Sequence, residues 1–280
     1  MKEHMTHTPE NAVPDRLGAV DVSIGYDDRT IIDGLTVQVP ADRVTAIVGP
    51  NACGKSTLLR GFARLLTPSA GRVILDGHDI ATMHTKDVAR RLGLLPQTSI
   101  APEGITVADL VSRGRFPHQK VFRQWSRDDA AAVADAMRHT GVTELSARLV
   151  DELSGGQRQR VWVAMVLAQQ TPLILLDEPT TYLDIAHQVE LLDLFAMLNR
   201  EHGRTVVAVL HDLNQACRYA DELIVMKAGR IVAQGDPDVV MSADLVRDVY
   251  GLECQIIDDP QTGTPLIVPR ASRHARVVKR

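Results

Sequence analysis

Short apolar runs alternate along the chain with amphipathic stretches, and turn residues separate them. Apolar and polar residues alternate over 17–24, which predicts a strand with one buried face, and a second strand follows at 35–39. Predominantly apolar runs, typical of strands buried in a parallel sheet, lie at 44–48, 92–96, 172–179 and 204–210. Helical periodicity follows the first of these runs, at 56–66. The pattern predicts an α/β fold with a parallel central sheet.

A helical segment interrupts the strands between about residues 98 and 153. Helical patterns cover 107–111 and 128–137, and Ser126 is well placed to cap the second. The loop between them, Gly114-Arg115-Phe116-Pro117-His118, is basic and exposed in character, so we expect His118 to be a surface residue rather than a metal ligand. We therefore predict one domain over 15–270 with a helical subdomain inserted at about 98–153.

The C-terminal part of the domain has a hairpin pattern twice. Strand patterns at 223–227 and 230–234 flank Ala228-Gly229, and a second hairpin is predicted over 254–268. Residues 271–280 form a basic tail that we expect to be solvated. Residues 1–14 lack the apolar core of a secretory signal and are expected to be a disordered tail.

Composition narrows the class of protein. The 280 residues are 45% hydrophobic and 24% charged, which is typical of a globular chain, and the net charge of −4 gives no general attraction to nucleic acid. Three cysteines show neither disulfide nor metal spacing, which suits a reducing cytoplasm. The longest apolar run, 161–168, is too short to cross a bilayer. Work at a membrane would therefore need a partner chain.

The strongest chemical signal follows the strand at 44–48. It fits the phosphate-binding pattern G-x-x-x-x-G-K-[ST] without a gap, and its members are Gly49, Pro50, Asn51, Ala52, Cys53, Gly54, Lys55, Ser56 and Thr57. Between a strand and a helix, the loop amides and the helix N-terminus face the phosphates of a nucleotide. Lys55 can reach the β and γ oxygens, and the Ser56 hydroxyl can bind Mg²⁺. The loop predicts binding of a nucleoside triphosphate.

Polar side chains end the other strands at the same edge of the predicted sheet. Asp177 can hold Mg²⁺ and the adjacent Glu178 can polarise a water molecule, although acids in this position also cap helices. Gln97 suits a magnesium ligand or a solvated loop, and His211 suits a γ-phosphate contact or a structural role. Tyr26, at the tip of the first strand, suits stacking on a base or local packing in the turn.

A second candidate anion site opens the long helix predicted up to about residue 170. Its start contains Ser154, Gly155, Gly156 and Gln157. Free amides and the helix dipole point outward at such a start, although a glycine-rich helix cap has the same composition. The sequence thus places two candidate phosphate sites in one chain.

Taken together and in this order, the motifs resemble those of ABC-transporter ATPases over about residues 15–270. Residues 49–57 look like Walker A, Gln97 like the Q-loop, 153–157 like the LSGGQ signature, 173–178 like Walker B, Tyr182-Leu183-Asp184 like the D-loop, His211 like the switch histidine and Tyr26 like the adenine-stacking A-loop. The resemblance implies an ABC ATPase fold, which is an α/β P-loop NTPase (RecA-like) core with an N-terminal antiparallel β subdomain and an inserted α-helical subdomain. It also implies that two cassettes pack head to tail, so that the signature of one completes the ATP site of the other.

The resemblance implies a role for each of these residues. Catalysis would use Glu178, His211, Gln97 and Lys55, and Mg²⁺ would be held by Ser56, Gln97 and Asp177. ATP would be bound by Tyr26, by the loop from Gly49 to Thr57, and by Ser154, Gly155, Gly156, Gln157 and Asp184. Gln97 would report nucleotide state to a permease through the helical subdomain.

Weaker markers resemble the ATPases of importers for ferric siderophores, with haem and cobalamin importers as close relatives. They are 180–185, 114–119, 123–126 and 263–266. One departure is Ala52, where this subfamily commonly has glycine; if the loop needs positive φ there, alanine costs about 1 kcal/mol. Cys53 beside it is either an oxidisable thiol or an inert buried residue.

The resemblance implies a homodimer on the cytoplasmic face of the membrane, working with a transmembrane permease and, indirectly, a substrate-binding protein, without nucleic acid. Two other classes of protein share part of this pattern. A small GTPase or kinase would share the phosphate loop, but no guanine-reading N/T-K-x-D follows it and the signature has no place there. A non-transport ABC protein acting on nucleic acid or ribosomes usually carries two cassettes or coiled-coil arms, whereas this chain has one set of motifs and no heptad run.

Overall fold

The computed structural model describes residues 15–27, 29–97, 100–119, 125–181 and 183–270. The predicted tails 1–14 and 271–280, Tyr182 of the D-loop, and Arg123-Gln124 of the subfamily markers lie outside the described residues. The strands are β1 (Asp15–Tyr26), β2 (Arg29–Pro40), β3 (Val44–Val48), β4 (Ala70–Leu75), β5 (His78–Asp79), β6 (Leu92–Leu95), β7 (Leu173–Asp177), β8 (Thr205–Val209), β9 (Glu222–Lys227), β10 (Arg230–Gly235), β11 (Cys254–Asp258) and β12 (Pro265–Pro269). The α-helices are α1 (Lys55–Phe62), α2 (Thr85–Arg91), α3 (Val107–Ser112), α4 (Arg127–His139), α5 (Gly155–Ala168), α6 (Ile185–His202), α7 (Leu213–Tyr219), α8 (Pro237–Val240) and α9 (Ala243–Tyr250).

The central sheet has six strands in the order β10-β9-β3-β8-β7-β6. All are parallel except β10, which pairs antiparallel with β9. Every residue of β3, β7 and β8 is buried, which confirms the predicted parallel core strands. Ligands bind beyond the carboxyl ends of such strands, and this topology brings the segments after β3, β6, β7 and β8 to one edge.

The N-terminal subdomain is a four-stranded antiparallel sheet in the order β2-β1-β4-β5. It packs on α1 through a second hydrophobic core that includes Leu58, Leu59 and Phe62. The prediction that α1 extends to residue 66 was wrong, because Arg64 adopts a left-handed φ of 58° that no α-helix tolerates. Both predicted C-terminal hairpins are present as β9–β10 and β11–β12.

The helical subdomain packs α3 and α4 against α5. The cap predicted at Ser126 is confirmed as a capping box, because the Ser126 hydroxyl accepts from the Asp129 amide at 3.1 Å and the Asp129 carboxylate accepts from the Ser126 amide at 3.0 Å. The boundaries 15–270 and 98–153 stay predictions. Among the described residues, no helix combines the length and apolarity that crossing a bilayer requires.

The prediction that residues 114–118 form an exposed loop was wrong. The segment forms a 3₁₀ helix, Arg113–His118, and Arg115 is only 5% exposed. Its guanidinium is buried because it pairs with Asp129 of α4 at 2.8 Å, so the charge that indicated a solvated loop is neutralised inside the subdomain. His118 is half-buried, and its Nε2 lies 2.8 Å from the Gln169 carbonyl oxygen.

Candidate active site

A cavity of about 500 Å³ opens at the carboxyl edge of the central sheet. Small-molecule sites typically measure about 300–1,000 Å³, so the cavity can take a nucleotide. Its lining is Tyr26, Arg29, Ile31, Asn51, Ala52, Gly54, Lys55, Ser56, Thr57, Gln97, Glu178 and His211. Ten of these twelve residues were predicted as site residues from five separate parts of the chain, and the fold brings them together.

The loop between β3 and α1 forms one wall. Lys55 is 5% exposed, and its Nζ donates to the carbonyl oxygens of Gly49 at 2.9 Å and Pro50 at 3.0 Å. A Cβ at Gly49 would lie 2.2 Å from the Met226 carbonyl oxygen, so only glycine lets the loop pass β9 this closely. Gly54 is the N-cap residue of α1 and has no side chain to cap it. The first-turn amides of α1 therefore remain available to an anion.

The Ser56 hydroxyl of this loop and the Asp177 carboxylate at the end of β7 are two oxygen groups that suit a hard cation. The Ser56 hydroxyl donates to an Asp177 carboxylate oxygen at 2.7 Å, and Asp177 is 2% exposed. Burial raises the pKa of Asp177, while the Ser56 hydrogen bond and the Arg60 guanidinium 3.9 Å away act in the opposite direction. A hydroxyl and a carboxylate suit Mg²⁺, which prefers oxygen ligands.

Glu178 is held between two donors at the end of β7. Its Oε1 lies 2.6 Å from His211 Nε2, and its Oε2 accepts from Gln97 Nε2 at 2.7 Å. The backbone of Glu178 adopts a φ of 54°, which is unfavourable for a non-glycine residue. Such strained backbone conformations cluster at functional sites. The three predicted catalytic side chains beyond Lys55 are thus in direct contact, with the carboxylate facing the cavity.

Tyr26 also lines the cavity. The residue is 41% exposed, and its hydroxyl accepts from Arg60 Nη1 at 3.1 Å. Sequence reasoning missed Arg60 and the lining residues Arg29 and Ile31. Arg60 lies one helical turn after Ser56 on α1, and Arg29 pairs with Tyr26 across the β1–β2 hairpin. Helical spacing and hairpin register were therefore the signals that could have indicated them.

The predicted signature residues lie elsewhere. None of Ser154, Gly155, Gly156 and Gln157 is among the described residues that line this cavity. Ser154 is exposed and caps α5, since its hydroxyl accepts from the Gln157 amide at 3.3 Å while the Gln157 side chain accepts from the Ser154 amide at 3.1 Å. Gln159, further along α5, donates to the Pro179 carbonyl at 3.0 Å and so links this helix to the segment after β7.

Asp184 also lies outside the cavity and caps α6. Its carboxylate accepts from the His187 amide at 2.9 Å, and this hydrogen bond lowers the pKa of Asp184. Cys53 is 4% exposed, and burial raises the pKa of its thiol, so the inert interpretation of Cys53 is favoured over the oxidisable one. Ala52 has a φ of 60°, which meets the condition for the conformational cost anticipated from the sequence.

Comparison with known proteins agrees with the geometry. The ferric enterobactin transport ATP-binding protein of Escherichia coli (strain K12) is 56% identical over 91% of this chain and 94% of its own length. The achromobactin transport ATP-binding protein of Dickeya dadantii (strain 3937) is 54% identical over 89% of this chain and 93% of its own. A solved inward-facing ABC transporter of the metal-chelate type superposes with a TM-score of 0.78 at 26% identity, covering 92% of this chain and 98% of that one. The sequence model of the ABC transporter family matches residues 32–181, and the chain therefore belongs to this family, as an ATPase.

Proposed function

We propose that the chain is the ATP-hydrolysing subunit of an importer for ferric siderophores. The observation that carries the hydrolytic part is Glu178, held by Gln97 and His211 at the mouth of a phosphate-loop cavity. The substrate class rests on the relatives, since the two described above are named for transport of ferric enterobactin and of achromobactin.

The geometry supports a division of labour in which Tyr26 stacks on adenine while the amides of Gly54–Thr57 and the Lys55 ammonium hold the phosphates. Glu178 accepts a proton from the attacking water, because its carboxylate faces the cavity. His211 and Gln97 hold that carboxylate in place, and His211 contacts the transferring phosphate.

Ser56 and Asp177 would hold Mg²⁺, with the Gln97 side-chain oxygen as a further ligand. Gln97 Nε2 donates to Glu178, which leaves its oxygen for the cation. The ion would neutralise charge on the β- and γ-phosphates.

The signature residues are proposed to act on the nucleotide of a second copy. Ser154 and Gly155 are exposed, Gly156 is half-buried, and none of them lines the cavity of its own chain. Ser154 and Gly156 would therefore meet the γ-phosphate bound by a partner subunit. Such a homodimer would work on the cytoplasmic face of the membrane beneath a permease that receives its substrate from a binding protein. No role with nucleic acid is proposed.

Glu178→Gln tests the hydrolytic assignment. The variant keeps the size and polarity of the side chain but cannot accept the proton, so we expect ATP binding close to wild type, an ATP-dependent dimer and hydrolysis reduced at least about a hundredfold. Hydrolysis near the wild-type rate would remove Glu178 from the role of base.

Uptake of labelled ferric siderophore and labelled cobalamin tests the substrate class in cells whose only copy carries Lys55→Ala. We expect siderophore uptake to be lost while cobalamin uptake persists. If both persist, the siderophore assignment is wrong, and haem import or a non-transport role takes its place. Loss of cobalamin uptake alone would assign a cobalamin importer.

A further inference from the structure

The 3₁₀ helix Arg113–His118 packs closely on the C-terminal end of α5. A Cβ at Gly114 would lie 2.2 Å from the Met165 carbonyl oxygen and 3.2 Å from the Ala168 side chain. The φ of Gly114 is not positive, so the glycine is required here by the close approach rather than by its backbone conformation. We call residues 114–118 the clamp.

Arg115 of the clamp hydrogen-bonds to three residues outside it. Its Nη1 donates to the Ala168 carbonyl at 2.8 Å and to the Gln170 side-chain oxygen at 2.9 Å, while its Nε donates to Asp129 at 2.8 Å. The Arg115 hydrogen bond lowers the pKa of Asp129 to about 2, so the pair stays charged at neutral pH. A buried guanidinium thus fastens the last turn of α5 to the start of α4.

The other end of the clamp reaches the ATPase core. His118 Nε2 lies 2.8 Å from the Gln169 carbonyl oxygen, and the Gln169 side chain donates to the Leu92 carbonyl at 3.3 Å, where β6 begins. Arg90 of α2 donates to the Pro117 carbonyl at 2.9 Å. The C-terminal end of α5 is therefore held between the helical subdomain and the core.

We infer that Arg115 is a positioning residue for ATP hydrolysis, which acts by fixing the C-terminal end of α5 and thereby aiming Ser154–Gln157 at the nucleotide of the partner subunit. The inference rests on the proposed head-to-tail dimer. The helix is continuous over 14 residues, or about 21 Å, so a tilt of about 3° at the clamp moves the signature by about 1 Å. A misplacement of that size can cost about a hundredfold in rate.

The test measures ATP-dependent dimerisation of the full-length chain. Size-exclusion chromatography at increasing ATP concentrations gives the fraction of dimer. All variants carry Glu178→Gln, so hydrolysis does not deplete the dimer. Arg115→Met is paired with Asp129→Asn, so that no buried charge is left alone. The control is Val133→Ala, which shortens a buried side chain of α4 and leaves Arg115 and Asp129 unchanged. ATP binding to the monomer is measured alongside.

We expect the Arg115→Met/Asp129→Asn chain to bind ATP like the control but to need at least about tenfold more ATP to dimerise. A merely structural role would weaken ATP binding and dimerisation in parallel, or leave both at the control level, and either result overturns the inference. If Glu178→Gln alone fails to dimerise, the proposed dimer is wrong instead.

Gly114→Ala provides a second variant in case the double substitution does not fold. It keeps every charged group and displaces only the contact with α5, so we expect the same direction of change in the ATP midpoint. Two results together would contradict a positioning role: normal dimerisation of folded Gly114→Ala in the Glu178→Gln chain, and normal ATPase turnover of Gly114→Ala in a chain that keeps Glu178.

Discussion

The two candidate anion sites of this chain are built in opposite ways. The phosphate loop lies in a lined cavity, and its lysine is 5% exposed and bonded to two loop carbonyls. In the signature, Ser154 and Gly155 are exposed while Gly156 and Gln157 are half-buried, and the helix start is capped by the side chains of Ser154 and Gln157. One site is complete within the chain, and the other presents a helix start to the outside.

This difference separates binding from turnover. We expect the residues of one chain to hold a nucleotide, because the phosphate loop, the Tyr26 ring and the Glu178 carboxylate all line the same cavity. The exposed start of α5 adds nothing to that cavity, so its contribution depends on a second copy. Damage to the first site should therefore remove both binding and hydrolysis, whereas damage to the second should remove hydrolysis alone.

Lys55→Ala should give the largest effect. It removes the buried cation from the loop, so we expect ATP affinity and the hydrolysis rate each to fall at least about a hundredfold. Isothermal titration with ATP and a phosphate-release assay measure the two quantities. Lys86→Ala, which removes an exposed lysine from α2, is the control and should change neither. If Lys55→Ala kept its ATP affinity, the phosphate loop would not be the site that holds the nucleotide within one chain.

Gly156→Asp should separate the two quantities. A carboxylate in the first turn suits the helix dipole, and its Cβ would meet the Leu183 side chain at an ordinary 3.5 Å, so the chain should fold. If the signature acts in the proposed dimer on the partner's nucleotide, the added charge should reduce hydrolysis at least about tenfold, while the ATP affinity of the single chain changes less than about twofold. Ala130→Asp adds the same charge to the exposed first turn of α4 as a control. If Gly156→Asp lost ATP affinity while Ala130→Asp kept it, the signature and the phosphate loop would bind the same nucleotide within one chain.

Tyr26→Ala sharpens the comparison within the cavity. Stacking on a base contributes about 1–3 kcal/mol, so ATP affinity should fall roughly 5- to 150-fold. Tyr26→Phe keeps the ring and loses only the hydroxyl that accepts from Arg60, so its loss should be distinctly smaller. Competition between ATP and triphosphate measures the contribution of the base. Equal losses in the two variants would assign the effect to the hydroxyl instead of the ring.

The sequence could predict the elements that are encoded by a continuous stretch of residues. Buried strands such as β3 and β7 have apolar runs, and the loop and signature are contiguous motifs, so neither needed tertiary information. Gln97, Glu178 and His211 were predicted separately, and parallel strands explain why they share one edge. Their mutual contacts could not be predicted, because these depend on side-chain directions at three strand ends.

The clamp shows where sequence reasoning fails. A loop with arginine and histidine was predicted to be exposed, yet Arg115 is buried because Asp129 and the Ala168 carbonyl satisfy it. The partners lie 14 and 53 residues away, so no local pattern indicates them. Gly114 likewise has no signal in the sequence, since its need arises from contact with α5.

Ala52→Gly should give the smallest effect and tests how far the loop is preorganised. A non-glycine residue at a φ of 60° costs about 1–2 kcal/mol, but glycine also loses about 0.4–1 kcal/mol through the greater freedom of the unfolded chain. We expect a net gain of about 0.5–1 kcal/mol in the free energy of unfolding, measured in urea. Ala228→Gly, at a φ of 48° in the β9–β10 turn, is the matched control and should give a similar gain without any change in ATP affinity. If the strain at Ala52 is larger in the nucleotide-bound loop than in the free loop, ATP affinity should rise in Ala52→Gly alone, by no more than about fivefold. An equal change of ATP affinity in both variants would mean that the loop gains nothing specific from glycine.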